Sequence, residues 1–523
     1  MILELQNRVS SREQVHRMCY LFALSVIAAG IPFSRFLMSL GGVLLVLNWV
    51  MEGKWRQKAD ILLHNKPLRV FLLLMAVHVV FLIFAPRFKD GIKDIWIKIP
   101  LLYLPVIMAS SSPLTKKEVN GLLKVYVMAT LVSIAWGWIA YIAHHWMEKR
   151  MMALFISYAR LEINICFAFF VSLYLAWKAV PAAQKAVYGV LSAVFLVFLI
   201  YSGFLTGLIL LLVIVMVFSV MHAYRCRNKT VKIMIYSLVF LFVSGVGVYF
   251  TIVTYRYFSS SFNMDTAAVY TADGHVYTHQ VRPQELENGS YIFTYVCEEE
   301  LEQAWNKRSH INYKDTVANG FSVQSTLIRY LNSKHLKKDR LGVEALTEQD
   351  IHNIENGTAN YNYRHSWGLV GRYYSVLWEM NDYCHTGYIA GYSLPQRFEL
   401  WNASLRVIRR HPLGVGTGNT RYALCQELVN SNSPIKYSNM KSHNEYLSLL
   451  MAFGCVGFII CLIAVFYPVV HKRPSAFVFS VFMIIMLLSM LTEDSLDQQD
   501  GATLFAFFYA LYIFADGTER EPA

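Results

Sequence analysis

Apolar runs long enough to cross a lipid bilayer recur along almost the whole chain, and they constrain its fold more than any motif does. A hydrocarbon core of about 30 Å requires about 17–25 residues of helix per crossing. Candidate runs lie at Leu21–Phe33, Phe36–Met51, Val70–Ala85, Ile95–Met108, Leu122–Ala143 and Ile163–Val180. Others follow at Val187–Tyr201, Phe204–Met221, Ile233–Thr254, Tyr446–Val470, Phe477–Leu491 and Thr503–Ala515. Several are short, and together they predict about twelve spans. Composition agrees, since 55% of the 523 residues are hydrophobic and 16% are charged, against about 25% charged in soluble proteins. The net charge of +12 would suit nucleic acid, but many of the Lys and Arg residues sit in short links between apolar runs, as in cytoplasmic loops. Membrane lipids are therefore expected as partners, and nucleic acid is not.

The first run starts near Met18, behind Arg8, Arg12 and Arg17, with no small-residue cleavage site, and is expected to be retained. With the N-terminus inside, the basic links Lys54/Arg56/Lys58/Lys66/Arg69, Lys116/Lys117/Lys124, Arg225/Arg227/Lys229/Lys232 and Lys472/Arg473 fall on the cytoplasmic side. The same alternation puts Arg87–Lys93, His144–Glu162, the long 255–443 segment and Glu493–Asp500 outside. The expected domains are 1–254 with spans one to nine, a 255–443 outer loop domain, and 444–523 with the last three spans and the tail. That loop is no linker, because strand-like and helical signals and aromatics are mixed in it. Asp273-Gly274 within Val269–Tyr277 predicts a hairpin, and Glu298–Arg308 and Thr347–Asn356 predict short helices, the second ended by Gly357. The fold class expected is an all-α polytopic membrane protein with one large mixed α/β loop domain. Of eight cysteines, Cys297, Cys384 and Cys425 fall in the loop without metal-ligand spacing, leaving room for one disulfide.

The candidate chemistry gathers at the end of that loop. Pro395 suits the first turn of a helix that runs to about Arg410, where Pro412 forbids continuation. On it Arg397 precedes Trp401, Leu405 and Ile408, so a charge opens an apolar stripe, either as a snorkelling cap or as a functional group. The segment His411-Pro412-Leu413-Gly414-Val415-Gly416-Thr417-Gly418-Asn419 follows. It reads either as an anion cradle, with Gly416, Gly418 and Asn419 as ligands, or as a turn that docks the helix. A nucleotide P-loop is excluded, because no Lys-Ser/Thr follows the glycines. Ser442-His443-Asn444-Glu445 stands at the mouth of the tenth span. His443 could take a proton from a hydroxyl, with Asn444 or Glu445 orienting it, or could merely hydrogen-bond at the helix start.

Three further places complete the set. Arg160 precedes the sixth span and is either a functional intramembrane charge or an interfacial anchor paired with Glu162. The link containing Glu493, Asp494, Asp497 and Asp500 gathers carboxylates that could bind a divalent metal, orient a basic group, hydrogen-bond acceptor sugars or simply face solvent. Arg372, with Tyr373, Tyr374 and Trp378, could contact a glycan, or its aromatics could be loop core.

Taken together, these features resemble the O-antigen ligases and related lipid-linked glycan polymerases of the bacterial inner membrane. The resemblance rests on Arg397-x-x-Leu400-Trp401 followed by the Pro412-Leu413-Gly414-Val415-Gly416 turn. It rests also on His443-Asn444 followed by Gly454 and Gly457, and on a main outer loop between the ninth and tenth spans. It implies a GT-C-like scaffold in a multi-pass protein with a periplasmic active face. It further implies inverting, metal-independent transfer of a glycan from undecaprenyl diphosphate to a sugar hydroxyl of lipid A core, with no cofactor. By resemblance Arg397, with Arg160 as second choice, would hold the diphosphate, and His443 would activate the acceptor hydroxyl or help position it. Many relatives carry another Arg entering the eighth span, where this chain reads Ser202-Gly203-Phe204-Leu205-Thr206-Gly207. A polymerase acting on the same carrier is the nearest alternative, with a protein O-oligosaccharyltransferase or a lipid-linked glycan transporter behind it. A transporter predicts midplane sites between internal repeats, whereas the polar candidates here cluster at one face.

Overall fold

The computed structural model describes residues 2–144, 149–260, 262–365, 368–389, 391–437, 439–474 and 477–517, and these are mostly helical. Among them seven helices are long and apolar enough to cross a membrane: Arg35–Glu52, Lys116–Ala143, Tyr158–Lys178, Ala182–Ser202, Leu205–Arg225, Lys229–Phe258 and Glu445–Lys472. An eighth crossing results if Trp55–His64 and Lys66–Val80, bent by 85°, form one broken span. The Asn65 side chain accepts from the Leu68 N–H at that bend and Pro67 follows in the first turn, so the second helix starts afresh. The other expected spans are shorter helices or parts of one. The Ile95–Met108 run divides into Phe88–Lys98 and Pro100–Ser110, because a proline supplies no N–H to continue the ladder. Phe477–Ser489 and Gln499–Ala510 have 13 and 12 residues.

Contacts divide the chain into two units, one made of Met1–Ile214 with Arg397–Ala523 and the other of Val215–Gln396. These divisions differ from those read in the sequence, because the 397–443 segment packs with the helical unit and the Lys229–Phe258 helix packs with the loop. In the first unit Gln499–Ala510 is buried on every side from Asp500 onward, as an apolar helix without a polar face must be. Phe71 stacks on Tyr509 at 4.6 Å, and Phe167 meets Phe508 edge-on at 4.8 Å.

The second unit has its own core, built on Trp305, Leu327, Ile328, Tyr330, Leu331 and Ile354. Glu298–Arg308 is helical as predicted, and Thr347 caps Glu348–Glu355 before Gly357 at φ 80°. The Asp273-Gly274 turn closes a Tyr270–Val276 bridge. Strand content is small, however: one hairpin pairs Leu286–Glu287 with Ser290–Tyr291. All eight cysteines are free thiols, so the loop contains no disulfide.

In the first unit a glycine-rich turn is threaded into a helix break. Gly454, at φ 60° and ψ −172°, interrupts the Glu445–Lys472 helix and frees the carbonyls of the preceding turn. Val415 N donates to Met451 O at 2.8 Å, Gly416 N to Ala452 O at 3.0 Å and Thr417 N to Phe81 O at 3.2 Å. A Cβ on Gly416 would stand 2.8 Å from Ala85 N, and one on Gly454 2.2 Å from Pro412 O. Of the two readings, the contacts fit the docking turn, since the Gly416 N–H is taken by the Ala452 carbonyl and Gly418 backs onto the Asp90 carbonyl. Asn419 likewise turns its amide to the Val415 carbonyl at 3.1 Å. Gly416→Ala should therefore destabilise the protein by about 1–3 kcal/mol from its positive φ alone, before the clash. Thermal unfolding in detergent checks this, and an unchanged melting temperature would contradict the docking role.

Candidate active site

The docked turn fixes the helix before it, Ser393–Arg410. Its buried face is Leu400, Ala403, Ser404 and Val407, while Leu405 is exposed and Trp401 and Ile408 flank the core. The stripe is thus rotated from the one read in the sequence, and Arg397 heads the Leu400–Ser404 row one turn before it. Arg397 Nη2 reaches Glu493 Oε1 at 2.9 Å.

The other oxygen of Glu493 faces His443, whose Nδ1 lies 3.4 Å from Oε2. His443 has φ 51°, a left-handed conformation uncommon outside glycine. Its N–H donates to Asp494 Oδ2 at 2.9 Å. The hydroxyls of Ser442 and Ser448 donate to Asp494 Oδ1 at 2.9 and 2.7 Å. Two adjacent carboxylates therefore have separate tasks: Asp494 pins the backbone that carries His443, and Glu493 links its imidazole to the Arg397 guanidinium.

Arg160 braces this link from behind. Only 3% exposed, it donates through Nη1 to Ser495 Oγ at 3.1 Å and through Nη2 to the carbonyls of Asp494 and Ser495 at 3.1 and 3.2 Å. The anticipated anchor pair with Glu162 is not formed, because Glu162 Oε2 accepts from the Gly207 N–H at 2.9 Å. Arg160 and Arg397 also act on the Glu493 charge. Burial opposes ionisation of Glu493, but the hydrogen bond and charge of His443, with the charges of Arg397 and Arg160, outweigh it and hold the carboxyl below the usual glutamate range. Burial and the neighbouring Asp497 push Asp494 upward, and its serine hydrogen bonds only partly compensate.

Two expected orienting residues serve elsewhere. Asn444 caps the Glu445–Lys472 helix by accepting from Leu447 N at 3.1 Å, and its amide donates to Leu491 O at 3.2 Å. Glu445 is fully buried and accepts from Leu496 N at 2.7 Å. With His78, Lys98 and Asp497 it lines a small cavity. Arg372 belongs to the Val215–Gln396 unit and pairs with Glu379 at 2.9 Å. Tyr373 and Tyr374 pack there on Val253, Tyr257 and Leu377, and Trp378 packs on the loop core, consistent with a packing role.

Sequence reasoning missed Lys98 and Lys441. Lys98 Nζ lies 2.5 Å from Asp94 and 2.7 Å from Asp497, and Lys441 Nζ lies 3.4 Å from Asp497. These cations neutralise the buried base of the acidic link, and a charge inside the Ile95–Met108 run was the available signal. As for metal donors, His275, Cys297 and Glu300 in the other unit bring ligand atoms within 4.8 Å of one another. Glu300 there already accepts from Thr271, His275 and Arg340 N.

Seven helices long and apolar enough to cross a membrane, among the described residues, mark a polytopic membrane protein, and in its first unit Arg397 and His443 meet the Glu493 carboxylate. Residues 367–462 match the family model described as O-antigen ligase, which supports the resemblance read in the sequence. A match to that family points to a membrane enzyme of lipid-linked glycans. No curated protein matches the sequence. Arg397 and His443 lie inside the matched segment, whereas Arg160, Glu493 and Asp494 lie outside it.

Because the folded pKa of Glu493 lies below its unfolded value, its charge stabilises the native state above the unfolded glutamate pKa of about 4.3 and loses that effect as pH falls through the folded value. Glu493→Gln should melt below wild type at neutral pH, and the gap should close in acid. A gap independent of pH would mean that Glu493 does not act through its charge.

Proposed function

We propose that the protein transfers a glycan from undecaprenyl diphosphate to a sugar hydroxyl of lipid A core, at the periplasmic face of the bacterial inner membrane. The observation that carries this reading is the Arg397–Glu493–His443 chain, two of whose members lie in the segment matching the O-antigen ligase family. With Glu493 ionised beside Nδ1, the imidazole keeps its proton on that nitrogen and leaves Nε2 to accept one. The acceptor hydroxyl oxygen attacks the anomeric carbon as its proton passes to Nε2. The bond from that carbon to the phosphate oxygen breaks, and the lipid diphosphate leaves with the electron pair. A single displacement inverts the anomeric configuration.

The leaving group carries most of the developing charge. Arg397, joined to Glu493 through one terminal nitrogen, has its other donors for a bidentate contact with phosphate oxygens. Arg160 acts as a positioning residue, since its terminal nitrogens donate to the Ser495 hydroxyl and to the Asp494 and Ser495 carbonyls. The step needs no metal in this reading, because guanidinium groups supply the counter-charge.

Reconstituted protein given labelled undecaprenyl-diphosphate glycan, with lipid A core or a second carrier-linked unit as acceptor, tests the assignment. Growth on the lipid A core indicates a ligase, and extension on the carrier indicates a polymerase. His443→Ala and Arg397→Ala should each lower transfer by at least about a hundredfold, with carrier binding retained in His443→Ala and weakened in Arg397→Ala. Full activity in both variants would overturn the site.

A further inference from the structure

The Val215–Gln396 unit contains a cavity of about 480 Å³ that the transfer site does not use. It lies where the Lys229–Phe258 helix ends. The hairpin turn Asn288-Gly289, with φ of 55° and 77°, seats on that end, and Gly289 N donates to Tyr257 O at 2.9 Å. Two positive φ values between paired strands are the geometry that Asn-Gly favours. A Cβ on Gly289 would stand 2.9 Å from Arg256 O, so only glycine lets the turn approach.

The lining is unusual in what it leaves unsatisfied. Asn288 is 8% exposed, and neither its amide nitrogen nor its oxygen has a hydrogen-bond partner. Tyr257 is 1% exposed and its hydroxyl is also without a partner. A buried orphan polar atom costs about 1–3 kcal/mol, and here three belong to two residues that line one cavity. Around them stand Tyr361 and Tyr374, the amide of Asn362, the imidazole of His335, and the cations Arg256 and Lys334. Lys334 is committed to Asp350 at 2.7 Å. Arg256 is exposed and has no carboxylate partner among the described residues.

We infer that this cavity binds a saccharide bearing an anionic group. A sugar hydroxyl both donates and accepts, and so can satisfy the Asn288 nitrogen and oxygen together. A phosphate or carboxylate alone only accepts and would leave the amide oxygen unpaired. The tyrosines offer faces for the ring's C–H side, and Arg256 meets the charge. The inference stands apart from the proposed transfer, because its readout is binding.

Full-length protein in detergent is titrated with tetragalacturonate, maltotetraose and phosphatidylglycerol micelles. Tetragalacturonate should bind best. Tyr257→Phe and Asn288→Gly, the latter keeping a turn that tolerates positive φ, should each weaken it by roughly three- to tenfold. Neither should lower the melting temperature of the free protein, since both remove orphan groups. Arg256→Gln should erase the preference for the acidic saccharide over the neutral one. Absence of saccharide binding, binding unmoved by Tyr257→Phe and Asn288→Gly, or uptake of phosphatidylglycerol alone would each overturn the inference.

Discussion

Breaking a helix within hydrocarbon frees backbone groups that no water can reach, and each must find a partner inside the protein. At Gly454 the Glu445–Lys472 helix is broken, and the Val415 and Gly416 N–H groups take up the Met451 and Ala452 carbonyls. The functional architecture of the first unit depends on this exchange. It holds the Ser393–Arg410 helix, and with it Arg397, against the helix whose first turn follows His443. Glycines are required because two backbones meet within van der Waals contact, a demand unrelated to binding an anion.

The second constraint is charge. Four carboxylates in one short link could not stay buried together without counter-charges. Lys98 and Lys441 hold Asp497, Arg35 lies 3.5 Å from Asp500, and serines hold Asp494. That leaves Glu493 as the carboxylate placed between a guanidinium and an imidazole. Arg160, buried against the 494–495 carbonyls, keeps the link in register and adds positive potential behind it. A residue that reads as a ligand by its type thus works as a brace by its contacts.

Much of this was legible in the chain itself. The apolar runs specify a polytopic membrane protein, since period and length alone determine what a bilayer accepts. The motif pair around Arg397 and His443 lies in the segment that matches the O-antigen ligase model, and local caps such as Thr347 and Gly357 set helix ends because their hydrogen bonds reach only a few residues. Nothing in the sequence says which helix end the Asn288-Gly289 turn covers. The span count was less legible, because Pro100 breaks an apolar run that looks continuous by composition and the 85° bend falls in a segment that reads as a basic link.

Partner choice was beyond the sequence. Asn444 and Glu445 stand beside His443 in the chain, yet one caps a helix and the other is buried against the 496 backbone, while the imidazole faces Glu493, fifty residues away. The sequence determined the membrane class, the helix ends and the residues able to do the chemistry, since these follow from local periodicity and side-chain type. Tertiary structure alone decided which carboxylate meets which cation and which glycine amides remain free. Those outcomes depend on distances between segments distant in sequence, and on burial, which raises the cost of every unpaired charge.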